Sequence, residues 1–352
     1  MNEDCAKLTS YFGERQRTAG RFTADALLDL YGRHQIAASI LLRGTEGFGA
    51  RQRPRTDRSL SLSEDLPLIA VAVDARPRIE AILSEVRELT RNGLVTLERA
   101  RMLTGDIGPL ALPEDLLEAT KLTIYLGRTE RVYRVPAFVA VCDLLRRRGL
   151  AGATVLLGVD GTAHGQRQRA AFFSSNAETP VMVIAVGSGD RIGRVLPELG
   201  GLLRRPLLTL ERVTIRKRDG TTLTDVPSAQ SGAGDIGAPA QQKLMVYTSE
   251  AAQYRGQPIH REIIRRLRAA GISGATTQRG IWGFHGDHQP HGDRLFQLGR
   301  RVPAVTIVID TPGRIATAYS AIDELTTKQG LVTSEPVTAI RPARAAVRGK
   351  ED

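Results

Sequence analysis

Apolar and polar positions alternate from Lys7 to Gly13 with the period of a β-strand. Over 21–34, Phe22, Ala26, Leu27, Leu30 and Tyr31 recur at helical spacing. Residues 36–43 read as a second strand and 68–73 as a third. Ile79, Ile82, Leu83, Val86 and Leu89 mark a second helix, and 94–98 a fourth strand. This order, β-α-β-β-α-β, is the split βαβ arrangement of the ferredoxin-like fold, in the α+β class.

The same pattern then returns twice. Lys7-Leu8-Thr9-Ser10-Tyr11 aligns with Lys121-Leu122-Thr123-Ile124-Tyr125 and with Lys243-Leu244-Met245-Val246-Tyr247. The shared offsets carry Ile36 onto Leu150 and Ile272, and Gly44 onto Gly158 and Gly280. Pro67, Pro180 and Pro303 open matching apolar runs. A recurrence at so many points is the signature of tandem repetition. The implied layout is unit 1 over 5–101, a linker over 102–120 and unit 2 over 121–215. A flexible linker over 216–242, unit 3 over 243–340 and a basic tail over 341–352 follow.

The third strand of each unit is apolar at every position or nearly so, as in Leu68-Ile69-Ala70-Val71-Ala72-Val73. Two helices cover one face of such a sheet, and a strand apolar on both faces needs cover on the other. Three sheets in one chain can cover one another, so the units are expected to close into an intramolecular pseudo-trimer.

Composition narrows the class. Hydrophobic residues at 41% and charged residues at 25% fit a globular protein. Two cysteines, Cys5 and Cys142, are too few for a disulfide framework or a cysteine-based zinc site. The N-terminus has no signal-peptide pattern and no run is long enough to span a bilayer, which fits a cytoplasmic protein without membrane insertion. The net charge of +11 raises nucleic acid as a partner. Only six of the 49 basic residues are lysines, however, a skew that a GC-rich genome produces by itself.

A glycine-punctuated loop follows each second strand. Gly44, Gly47, Phe48 and Gly49 recur as Gly158 and Gly161, then as Gly280, Gly283 and Phe284. Glycines permit positive φ and close backbone approach, so they suit a turn or a ligand cradle equally. Arg53 and Arg55 follow the first loop, Arg167 and Arg169 the second, and His291 the third. If the segment after the first loop is extended, Arg51, Arg53 and Arg55 share one side and make a fork for phosphate or carboxylate, and Arg167 and Arg169 match Arg53 and Arg55. His285, His288 and His291, with Asp287 and Asp293, also form a candidate site for a divalent metal, although their spacing matches no standard zinc motif. No nucleophile elbow, Walker loop or paired acid site emerges, and no catalysis is expected.

Tyr-x-Gly after the first strand, Gly-Ala-Thr entering the second, Gly-x-x-Gly-Phe-Gly after it and Ser63-Glu64-Asp65-Leu66-Pro67 before the third resemble the PII-like proteins catalogued as domain of unknown function 190. The resemblance covers nearly all of each unit and is blurred in the second, where Thr162-Ala163 replace Phe-Gly. It implies relatives of the trimeric PII signal proteins, which bind effectors in clefts between subunits and touch a partner through the long loop after the second strand. That partner would be a protein, such as a membrane transporter or channel. The segments after the third strands, such as Asp74-Ala75-Arg76-Pro77, lack the second glycine-rich phosphate loop of PII proper, so the resemblance names no cofactor. The expected function is therefore non-enzymatic sensing of a small effector: an anion, a nucleotide or a metal. An arginine-rich polyanion binder and a metal-handling protein using the histidine loop are the alternatives.

Overall fold

The computed structural model describes residues 2–50, 52, 54–56, 65–163, 166–169, 179–224, 240–285, 291–292, 302–328 and 330–340. Arg53 and His288 lie outside the described residues.

Each unit has four main strands and two helices. Unit 1 runs through Asn2–Gly13, helix α1 (Thr23–Arg33), Ala38–Arg43, Pro67–Ala75, helix α2 (Arg76–Leu89) and Leu94–Thr104. Unit 2 runs through Thr120–Gly127, α3 (Ala137–Arg147), Gly152–Ala163, Pro180–Gly187, α4 (Gly189–Leu202) and Leu207–Arg212. Unit 3 runs through Ala240–Ser249, α5 (Ile259–Ala269), Ala275–Arg279, Pro303–Asp310, α6 (Pro312–Asp323) and Leu331–Ile340. In every unit the first strand lies between the third and the fourth, and the second strand flanks the third, all antiparallel.

The three units join in a closed antiparallel sheet. The end of the first unit's fourth strand pairs with the start of the second's, Thr104–Arg101 against Leu207–Leu210. Continuing from the second, Thr214–Arg218 pairs with Leu331–Ser334 of unit 3. The circle closes where Thr338–Ile340 pairs with Leu97–Val95 of unit 1. Residues 216–222, expected as flexible linker, are instead drawn into a hairpin (Thr214–Arg218 with Thr221–Thr222) against unit 3, whose strand satisfies their backbone groups. The first linker lies on unit 2: Ile107 and Leu116 enter its core, and a 3-10 turn spans Glu114–Leu116.

Closure explains the two-sided apolar strands. Leu68, Ala70 and Ala72 face the helices of unit 1, while Ile69, Val71 and Val73 face a central core. Unit 2 divides in the same way, with Val181, Val183 and Ala185 outward and Met182, Ile184 and Val186 inward. From unit 3, Val305, Ile307 and Ile309 complete the centre and Val308 faces its helices. Three helix–sheet cores thus surround one shared core. None of the three sheets has an open inner face.

The hairpins leading into the helices and the approach to each third strand lie at the same end of the molecule. Backbone bonds tie them: Glu14 N to Leu66 O, Arg128 N to Thr179 O and Glu250 N to Val302 O.

Candidate functional site

Each unit grips its neighbour with the backbone that follows its second strand. Glu46–Phe48 pairs with Ala275–Thr277 of unit 3, residues 160–163 pair with 38–41 of unit 1, and Trp282–His285 pairs with Gly152–Val155 of unit 2. The glycines of the repeated loop sit at these seams. A Cβ on Gly47 would lie 2.5 Å from Ala275 O, on Gly161 2.3 Å from Ser39 O, and on Gly283 2.2 Å from Ala153 O. No side chain fits where two backbones approach so closely. Phe48 is buried in the helix-side core of unit 3 beside Ile263 and Ile272, and Phe284 in that of unit 2. Each phenyl ring thus enters the helix-side core of the neighbouring unit. At the third seam the equivalent residue is Thr162, paired with Ser39, so a threonine stands where the other two seams have a phenylalanine.

An outer strand folds back over each of the three seam glycines and brings predicted effector residues there. Arg55 stands opposite Gly47 and His291 opposite Gly283. In unit 2 the residue opposite Gly161 is Gln168, flanked by Arg167 and Arg169. The register thus places Gln168, rather than Arg169, at the position of Arg55 and His291. Arg55 forms a half-exposed ion pair with Asp65 at 2.9 Å. His285 pairs with Gly152 of unit 2, two positions along the strand from Gly283. Gly49 has open space around its Cα, and Gly44, Gly158 and Gly280 each lie against the neighbouring unit. A cavity of about 30 Å³ opens at the seam between units 2 and 3, between Gly152, Ile184, Tyr247 and Phe284. That is room for a water molecule.

Between the third strand and its helix there is no loop in unit 1: the strand ends at Ala75 and α2 begins at Arg76. Asp74 occupies the junction, accepting hydrogen bonds from Ala37 N, Ala75 N and Arg78 Nε. Asp310 repeats this, accepting from Ser273 N and Thr311 N.

At the centre lies a feature that strand patterns alone did not announce. Lys7, Lys121 and Lys243 come from the first strands, and Glu98, Glu211 and Glu335 stand directly across from them on the fourth strands. Each lysine also reaches a glutamate of the next unit. The contacts run Lys7–Glu211 2.8 Å, Glu211–Lys121 2.9 Å, Lys121–Glu335 2.5 Å, Glu335–Lys243 2.5 Å, Lys243–Glu98 2.6 Å and Glu98–Lys7 3.2 Å. The result is a closed six-membered ring of alternating charge. Its side chains are at most 9% exposed. The three carboxylates lie close enough to hold a cation, but each ammonium already bridges two of them.

For Lys7, Lys243, Glu98 and Glu211 burial opposes the charge, and the neighbours outweigh it. Glu211 and Glu98 hold the Lys7 ammonium well above its ordinary pKa, and Glu335 and Glu98 raise that of Lys243. In the other direction, burial would raise Glu98 and Glu211, but Lys243, Lys7 and Lys121 hold the first well below the carboxylate range and Lys121 and Lys7 lower the second. A carboxylate lowered on folding stabilises above its unfolded pKa and loses that contribution as pH falls through the folded value. A raised lysine stabilises below its unfolded pKa and loses this only as pH rises through its raised folded value. Lys7, Lys243, Glu98 and Glu211 are therefore charged around neutrality. Acid titration followed by circular dichroism is expected to show a loss of stability below the ordinary carboxylate range, in one transition shared by all three units. Separate acid transitions for the units would contradict it.

The sequence did carry a signal for the ring: a lysine amid each first strand and Thr-x-Glu in each fourth, as Thr96-Leu97-Glu98, Thr209-Leu210-Glu211 and Thr333-Ser334-Glu335. A charge on a face that must be buried implies a partner.

The fold and seams define a mixed α/β protein made of three like units in one closed sheet. The chain belongs to the DUF190 family, described as uncharacterized ACR, COG1993, whose model matches residues 5–102, 119–215 and 241–339. A UPF0166 protein of Aquifex aeolicus is 32% identical over 98 residues, which are 28% of this chain and 90% of that relative. Another UPF0166 protein, from Methanocaldococcus jannaschii, is 33% identical over 86 residues, 24% of this chain and 78% of its own. Both relatives are thus about the length of one unit.

Proposed function

We propose that this is a non-enzymatic, PII-like regulator made of three ferredoxin-like units, which binds a small anionic effector at a seam and contacts a partner protein through one end. The observation that carries this reading is the outer strand at each seam. The same backbone clasp is built three times, yet the residue opposite its central glycine is Arg55, Gln168 or His291. Packing alone asks for no such variety at these positions. The neighbouring Arg167 and Arg169 add donors suited to phosphate or carboxylate. Effector binding at one seam would alter the backbone clasp there and so the approach to the third strand at Leu66, Thr179 or Val302. By likeness to PII, a membrane transporter or channel is the proposed class of partner.

The test is thermal unfolding of the full chain with adenine nucleotides, cyclic nucleotides, carboxylates and divalent metals, at two salt concentrations. A ligand that binds the native state alone raises the melting temperature by mass action. One small anion should give a saturable, salt-resistant shift with one or two sites per chain, abolished by Arg55→Ala or Arg169→Ala. A shift with Zn²⁺ or Ni²⁺ alone would move the assignment to His285 and His291. No shift with any ligand would sink the effector reading.

A further inference from the structure

The short hairpins leading into α1, α3 and α5 share a two-residue turn with both residues in the left-handed region. In units 1 and 3 the turn is Ala19–Gly20 and Arg255–Gly256, with glycine second. Unit 2 instead has Tyr133–Arg134, at φ 46° and 70°. Such turns favour glycine or asparagine. Local folding does not ask for a tyrosine and an arginine here.

Nor does packing. Tyr133 is 93% exposed, so its ring contributes almost nothing to the core. Beside it, Val135 is 41% exposed. Arg128, Arg131 and Arg134 are exposed around the turn, and exposed Arg204 and Arg205 follow the end of α4. Arg204 is near enough to act electrostatically on Glu130, which places the two segments together. Glu130 is the only acid across 127–136 and is half-buried. The counterpart in unit 1 is different: the groove between α1 and α2 mixes Arg21, Arg33 and Arg91 with Asp29, Glu85 and Glu88.

We propose that the hairpin Arg131–Pro136 of unit 2 is a docking knob for a protein partner that presents an apolar pocket rimmed by carboxylates. The Tyr133 ring fills the pocket and the guanidinium groups of Arg131 and Arg134 meet its rim. Tyrosine and arginine are the residue types that dominate binding energy when they become fully desolvated at the centre of an interface. Sequence-tolerant binding of single-stranded nucleic acid instead uses several aromatic platforms along a groove. This hairpin offers one ring, at a projecting tip. Because the hairpin is bonded to the approach of the third strand through Arg128 N and Thr179 O, it lies at the end assigned above to partner contact. The proposal gives the partner chemistry of that reading and rests on it for location only.

The experiment uses the full chain and fluorescent 15-residue peptides alternating Glu or Asp with Leu or Phe, with an oligothymidylate of equal charge in parallel. The acidic peptides should bind saturably, and Tyr133→Ser and Arg134→Gly should each weaken them about tenfold. Glycine accepts the turn conformation without strain, so Arg134→Gly should keep the melting temperature of the parent. Arg255→Ser, at the matching turn of unit 3, should leave peptide affinity unchanged. Absence of peptide binding, affinity indifferent to Tyr133→Ser, or tighter binding of the oligothymidylate through Tyr133 would each overturn the proposal. Effector-induced thermal shifts, measured on the same variants, should be unaltered. Failure of the knob and failure of the effector reading are therefore read separately.

Discussion

Replacing Lys121 with methionine is expected to lower the stability of the whole chain by about 3–5 kcal/mol, the usual consequence of breaking a buried ion pair from one side. Lys121 is 1% exposed and bridges Glu211 of its own unit to Glu335 of the next. Methionine fills most of the space but leaves three carboxylates facing two ammoniums at a site whose side chains are almost wholly buried. Because every lysine of the ring bridges a glutamate of its own unit to one of the next, the loss should appear in one cooperative denaturant transition rather than in unit 2 alone. The companion variant replaces all three lysines by methionine and all three glutamates by leucine. Removing every charge together removes the desolvation cost as well, and such replacements are often neutral or stabilising. Recovery of most of the lost stability would identify the ring as a device for register and closure. If Lys121→Met shifts the chemical denaturation midpoint hardly at all, the ring is not under the electrostatic load described.

Phe48→Ala should cost about 3–5 kcal/mol, as for other buried phenylalanines cut back to alanine. The ring is 4% exposed, yet it belongs to unit 1 and is buried in unit 3. Its loss should therefore be felt across the seam, in α5 and the strand Ala275–Arg279, before it is felt in unit 1 itself. Hydrogen exchange can resolve this. Amides of 275–279 should lose protection while those of 67–75 retain it. Equal loss in both segments would mean that the clasp is not a local element but part of the global transition. Thr162 makes the seam between units 2 and 1 the natural control, since a threonine stands there at the position of Phe48.

Much of the fold was legible because its determinants are local. Strand alternation and helical spacing placed the elements of each unit, and three registers of the same pattern reinforced one another. The closing of the three segments around one core was legible for a different reason: Leu68 to Val73 has no polar face, so a second covering layer had to exist. What stayed hidden depends on pairs of residues about a hundred or more positions apart. Lys7 within a strand reads as a solvent-facing residue until Glu98 and Glu211 are brought to it. Phe48 beside glycines reads as a loop residue until the core of unit 3 receives it. The glycine loop was open to two readings, turn or cradle, and its described surroundings show a third use, the close passage of a neighbour's backbone. His288 and Arg53 fall outside the described residues, so the histidine triad and the full arginine fork rest on sequence alone.

Carrying three units in one chain changes what heredity can do with them. In a ring of identical chains, one codon change alters three symmetric positions together. Here it alters one. Tyr133 could arise without imposing a strained turn on the other two hairpins, and Thr162 could displace a phenyl group while Phe48 and Phe284 stayed. By the same logic, an error at Lys7, Lys121 or Lys243 has no identical copy to repair it, and the three codons are tied by charge balance across separate stretches of the gene. The ring is the part of this molecule that fusion did not set free to diverge.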